Sequence, residues 1–150
     1  MERDPWIPLK ASWWVDRTRQ PLNLVVSSPS GGLIEIDLQR ESGELMGITV
    51  VTMPIQADSP KHSFRGEVID NALPVFDVSG WDTSDPARRF ARETADLSWH
   101  HSEDQEVIFF DDVESVTKIA CGPVAVGVGS QGELAGLWIE SAAIDETPLL

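Results

Sequence analysis

The chain is poor in cysteine, in bases and in long apolar runs, and it has no tyrosine. Cys121 is the one cysteine among 150 residues, which rules out an internal disulfide and suits a reducing compartment. Its neighbours, Ile119-Ala120 and Gly122-Pro123, point to a small inert thiol at a strand end rather than a nucleophile. There is no Cys-x-x-Cys or His-x-His spacing for a zinc site. Gly-x-Ser-x-Gly, the turn that exposes a hydrolase serine, is also missing. No stretch approaches the roughly 20 apolar residues of a spanning helix. The charged, proline-interrupted start, Met1-Glu2-Arg3-Asp4-Pro5, lacks the apolar core of a signal peptide. A cytoplasmic protein of one domain, residues 1–150, is therefore expected.

Bases are scarce and unevenly placed. Eleven lysines and arginines face 25 aspartates and glutamates, for a net charge of −14. From residue 97 onward Lys118 is the lone base among ten acids. Such a surface repels nucleic-acid backbones and anionic membranes, so neither is an expected partner. It favours a basic protein or a cationic ligand. The one basic cluster, Arg88, Arg89 and Arg92, is too small to reverse this.

What is present is hydrophobic alternation. In Leu33-Ile34-Glu35-Ile36-Asp37-Leu38 the apolar residues Ile34, Ile36 and Leu38 share one face and the acids the other. Short strands are expected at 12–15, 22–26, 33–38, 44–53, 66–69, 74–78, 97–101, 106–110, 116–120, 124–128 and 133–140. The turn-rich stretches between them argue for an antiparallel architecture. Pro5 and Pro8 predict an extended or irregular N-terminal arm over 1–11, and 54–64 reads as a loop. Asp82-Thr83-Ser84-Asp85-Pro86 is a helix-start signal, which predicts one short helix over 87–94. The fold class expected is mainly β with that one helix, as a sandwich or open barrel.

The chain also echoes itself. Gly43-Glu44-Leu45-Met46-Gly47 and Gly132-Glu133-Leu134-Ala135-Gly136 share Gly, Glu, Leu and the second Gly, and each follows an alternating strand. Two related halves, 12–53 and 97–140 joined by 54–96, are one explanation, with Ser12-Trp13-Trp14 laid over Ser98-Trp99-His100. Two hairpins alike through shared turn chemistry are the other. Residues 97–143, through Val107-Ile108-Phe109-Phe110, Val124-Ala125-Val126 and Gly132-Glu133-Leu134-Ala135-Gly136-Leu137-Trp138-Ile139, resemble a family of very small bacterial β domains of unknown function. That resemblance implies strand-turn-strand structure and brings no catalytic residues. It departs from the family pattern at Trp99-His100 and Ser130-Gln131.

Six tryptophans stand out: Trp6, Trp13, Trp14, Trp81, Trp99 and Trp138. Tryptophan fills cores and anchors interfaces. One or two are expected to line a groove, and the candidate binding residues are Trp13, Trp14, Trp81, Trp99, His101 and Trp138. His100 and His101 point to opposite faces of a strand, so they cannot clasp one metal. The least implausible metal pairing would join His101 with Asp111 or Asp112, and Asp111-Asp112-Val113-Glu114 reads by default as a solvated turn. No metal or cofactor is expected. The function expected is non-catalytic: binding of a protein partner, basic by charge complementarity and immunity- or antitoxin-like by analogy, or self-association. The alternative is small-molecule binding or hydrolysis in a cleft gathering His62, His101, Asp77 and Asp111.

Overall fold

The structure is a computed structural model that describes residues 2–4, 7–12, 21–40, 42–62, 64–78, 90–101 and 104–140. Thirteen strands appear in it: β1 (Glu2–Asp4), β2 (Ile7–Ser12), β3 (Leu22–Ser27), β4 (Leu33–Leu38), β5 (Leu45–Thr52), β6 (Ile55–Gln56), β7 (Glu67–Ile69), β8 (Phe90–Thr94), β9 (Leu97–His101), β10 (Gln105–Phe110), β11 (Thr117–Cys121), β12 (Val124–Val128) and β13 (Leu134–Glu140). They form two sheets, β1-β2-β5-β4-β3-β8 and β6-β9-β10-β13-β12-β11-β7. Both sheets turn an apolar face to one shared core, which joins Leu22, Ile34, Ile36 and Ile48 of the first to Ile108, Val126, Leu137 and Ile139 of the second. The fold is mainly β, as the alternation predicts, with the layered arrangement of a sandwich.

Within each sheet five strands repeat one plan. The order β1-β2-β5-β4-β3 recurs as β9-β10-β13-β12-β11, all antiparallel. The registers coincide as well. Ser12, Gly47, Asp37 and Asn23 lie in one row of the first sheet, and Phe109, Gly136, Gly127 and Lys118 in the matching row of the second. Both hairpins carry a register shift at the same place, Asp37/Leu38 and Gly127/Val128. The turns close alike: Gln39 N donates to Glu44 O and Gly43 N to Gln39 O, as Gly129 N does to Glu133 O and Gly132 N to Gly129 O. Gly43 and Gly132 have φ of 78° and 82°, a left-handed backbone that glycine adopts without steric cost.

By strand order and register, β1 (Glu2–Asp4) takes the place of β9 and β2 that of β10. Ser12 corresponds to Phe109, not to Ser98, so the alignment of Ser12-Trp13-Trp14 with Ser98-Trp99-His100 is one strand out of step. Trp13, Trp14 and the rest of the strand expected at 12–15 lie outside the described residues.

Three other expectations are refined or corrected. Of the extended and irregular alternatives, the N-terminal arm takes the extended one, as two strands. Pro8 lies between the Ile7–Asp4 and Lys10–Glu2 pairs of the β1–β2 ladder, where the register shifts. The second is the predicted helix. Phe90–Thr94 is strand β8, running parallel to β3 from Asn23–Phe90 to Ser27–Thr94, and no helix occurs among the described residues. Ladder bonds to a distant strand outweigh a local helix preference there; residues 82–89 lie outside the described residues. Finally, the sheets are mixed rather than antiparallel. β6, β7 and β8, all drawn from the connecting segment, add in parallel to β9, β11 and β3 at sheet edges. Ile55–Gln56, within the expected loop, is one of these.

Candidate functional site

Three features of the second sheet have no counterpart among the described side chains of the first. The first lies on the inner face, where the β9–β10 ribbon meets the end of the core. Strand alternation sends Leu97, Trp99 and His101 to one face, and Glu106 lies beside them because it is in phase with Ile108 and Phe110. Glu106 is buried at 8% exposure. Trp99 Nε1 donates to its Oε2 at 2.5 Å, and His101 Nδ1 donates to its Oε1 at 2.6 Å. Ion-assisted bonds of this kind compensate a carboxylate taken out of water. They also fix the imidazole through Nδ1 and leave Nε2 for other partners on a half-exposed ring.

Histidine 100, on the other face, donates from Nδ1 to the Ala57 carbonyl at 3.2 Å. The two neighbouring histidines therefore have separate partners, as strand geometry requires. Asp111 sits at the opposite end of the same ribbon. His101 pairs with Glu106 and Leu97 with Phe110, so four residue steps, about 13 Å, separate the two ends. The metal pairing of His101 with Asp111 or Asp112 is thus excluded. Asp111 instead ties the ribbon's end: Asp96 N donates to its carboxylate at 2.7 Å, and Lys61 Nζ to its carbonyl at 2.8 Å. Among the described residues no group of three or more His, Cys, Asp or Glu side chains is placed to hold a metal ion.

The second feature covers the outer face. Trp138 lies opposite Leu137 and Ile139, as alternation predicts, but it is buried rather than open. Its ring spreads over Gly127 and Gly136, where an added Cβ would meet it at 2.4 and 3.0 Å. The second glycine of the repeated turn motif therefore makes room for an indole here. Phe64 meets Trp138 edge to face at 5.9 Å, and Lys118 Nζ stands 4.2 Å from the Trp138 ring and 4.4 Å from the Phe64 ring. Burial lowers the pKa of Lys118 from the usual 10.5, against the pull of two ring faces on the ammonium. His62 packs edgewise on Phe109 next to this cluster, and its Nε2 approaches Asp112 at 3.3 Å without making a hydrogen bond.

The third feature is a groove of about 210 Å³ beside the second hairpin. One wall is the inner rim of β11, β12 and β13, with Ile119, Val126, Val128 and Leu134. The other is the connecting segment at Val75 and Phe76. Val75 is 62% exposed. The counterparts of those four rim residues in the first sheet, Leu24, Ile36, Leu38 and Leu45, are all buried, three of them at 1% exposure or less. Ile119, Val128 and Leu134 are only half-buried. Residues 74–76 explain part of the difference. Leu45 N donates to Pro74 O at 2.9 Å and Phe76 N to Gly43 O at 2.8 Å, so the segment closes on the first hairpin as a short antiparallel addition. At Gly43 an added Cβ would fall 1.9 Å from Phe76 O, whereas at Gly132 nothing among the described residues lies within 4 Å.

Of the expected binding residues, Trp99 and His101 are brought together by Glu106, and Trp138 lies on the opposite face of the sheet. Trp13, Trp14 and Trp81 lie outside the described residues. Of His62, His101, Asp77 and Asp111, His101 and Asp111 stand at opposite ends of the β9–β10 ribbon. Asp77 lines the groove, His62 lines a small outer-face cavity, and neither space contains another of the four. The repeated glutamate also has a local use: Gln131 N donates to Glu133 Oε1 at 2.9 Å, so the carboxylate braces its own turn. No helix among the described residues is long and apolar enough to cross a membrane. No protein-family model matches the chain, and no curated protein matches it.

Proposed function

We propose that the chain is a non-catalytic binding protein whose partner is another protein, received on the face of the second hairpin. The observation that carries this reading is the groove. An apolar row that the first sheet seals is left open in its repeat, next to exposed Val75. Unsealed apolar surface of this kind is what interfaces use. The net charge of −14 adds a preference for a basic partner, by steering and by rejection of anionic ones. An acidic protein that occupies a basic enzyme, as an immunity protein or antitoxin does, fits that description by analogy.

The test is affinity capture from the native lysate on the immobilised chain. The expected result is a basic protein retained at about 50 mM salt and released by about 500 mM, where charge attraction is screened within a few ångströms. Recovery of no stoichiometric partner, with the chain monomeric in sedimentation, would overturn the reading. Self-association would appear in the same sedimentation run as a concentration-dependent dimer. The alternative, small-molecule binding or hydrolysis, has one observation in its favour, the half-exposed imidazole of His101 held by Glu106.

A further inference from the structure

We infer that the groove takes an extended segment of the partner protein, added antiparallel to Gly132–Leu134 as residues 74–76 add to Gly43–Leu45. The inference rests on the partner-binding reading above and specifies its mode. The protein contains its own template for the contact. Against the first hairpin, a Pro-Val-Phe segment exchanges two backbone bonds: Leu45 N to Pro74 O and Phe76 N to Gly43 O. The glycine is required because the Phe76 carbonyl lies 1.9 Å from where a Cβ would stand. Phe76 packs against the core there.

The second hairpin has a turn one residue shorter but closed by the same two kinds of bond, with a register shift at the same place, a left-handed glycine and a leucine two residues after it. Among the described residues nothing lies within 4 Å of the Cβ position of Gly132, and beside it the rim of Ile119, Val128 and Leu134 is half-exposed. A backbone entering there meets an exposed turn edge, and a side chain on it enters an apolar space. That is the physics of strand addition, in which main-chain bonds give affinity and alternate side-chain pockets give specificity. The cavity, about 210 Å³, lies below the roughly 300–1,000 Å³ of drug-sized ligand sites, which suits one or two apolar side chains of a peptide. The segment recognised is therefore extended, with an apolar residue at the pocket and a residue carrying a free backbone N–H opposite Gly132.

The probe is a fluorescein-labelled peptide of the protein's own residues 72–78, Ala-Leu-Pro-Val-Phe-Asp-Val, titrated with the full chain and read by anisotropy. Saturable binding is expected. It should weaken about tenfold or more when the peptide's phenylalanine nitrogen is methylated, since each 1.4 kcal/mol is tenfold. Gly132→Asn should weaken it by a similar factor. Asparagine tolerates the left-handed turn, so the fold should persist, and its side chain occupies the place of the incoming carbonyl. Val75→Arg, on the exposed wall, is a second variant that leaves the turn untouched and should also weaken binding. Failure of the wild type to bind the peptide would overturn the inference, as would equal binding by Gly132→Asn. A protein captured equally by wild type and Gly132→Asn would overturn this docking mode and leave the partner-binding reading intact. A dimer that Gly132→Asn dissociates would overturn the assignment of the groove to a partner by placing a second copy there.

Discussion

The two sheets share a strand order and a register but not a chemistry, and the differences fall on defined rows. On the outer face of the first sheet Asn23 Nδ2 donates to Glu35 at 3.1 Å and also to Asp37, a polar ladder. In the second sheet the positions of Asn23, Glu35, Asp37 and Thr49 are taken by Lys118, Ala125, Gly127 and Trp138. An alanine and a glycine replace the acids, and an indole lies across the vacated space. On the inner face, Leu22, Leu38 and Leu45 become Thr117, Val128 and Leu134, and a sealed row becomes a rim. One backbone plan thus supports a sheet with a sealed inner row and a sheet with an open rim. The framework is specified by turn glycines and inner-face aliphatics, and the remaining positions are free to diverge.

The comparison can be broken at matched leucines. Leu45→Ala removes a side chain with no exposure and should cost about 3–4 kcal/mol, while Leu134→Ala, on the open rim, should cost about 1–2 kcal/mol. Urea denaturation of both variants checks this, and equal losses would mean that the two rows are equally sealed. The turn glycines sharpen it. Gly43→Ala combines left-handed strain with displacement of Phe76 and should cost about 3 kcal/mol, whereas Gly132→Ala carries the strain alone, about 1–2 kcal/mol. The difference should appear as separated melting temperatures.

The smallest effect concerns Lys118 against Asn23. The pKa of Lys118 is lowered in the folded state, so between that value and 10.5 the unfolded chain binds more protons and stability rises with pH. Below that window the charged amine is penalised in the fold. Lys118→Met should abolish this increment, so the melting temperature of the wild type should gain on the variant as pH rises toward 10.5. A constant gap from pH 8 to 11 would contradict the burial of the amine.

Much of the framework can be read from residues alone. Ile34, Ile36 and Leu38 alternate with acids and are buried as that pattern demands, and Val124 and Val126 behave alike. The paired Gly-Glu-Leu-x-Gly motifs locate both hairpins. What escapes is what depends on distant partners. Phe90–Thr94 follows a genuine helix-start signal, yet parallel pairing with β3 decides its state. At the site, Trp99 and His101 are two apart and share a face, and Glu106 is in phase with Ile108 and Phe110, so an acid on the apolar face was visible in the alternation. The groove was not. It arises from where residues 74–76 cross the first hairpin, and it emerges only when the two repeats are laid over each other strand by strand.

The parallel edges have a consequence for synthesis. β3 is made long before β8, its neighbour at the margin of the first sheet. A nascent chain that has emerged only as far as residue 53 offers the unclosed backbone of β3 to any strand it meets. Distant pairings of this kind also slow folding. The last joining segment to leave the ribosome thus decides when β3 stops being the open margin of the earliest sheet, a place that β8 then takes.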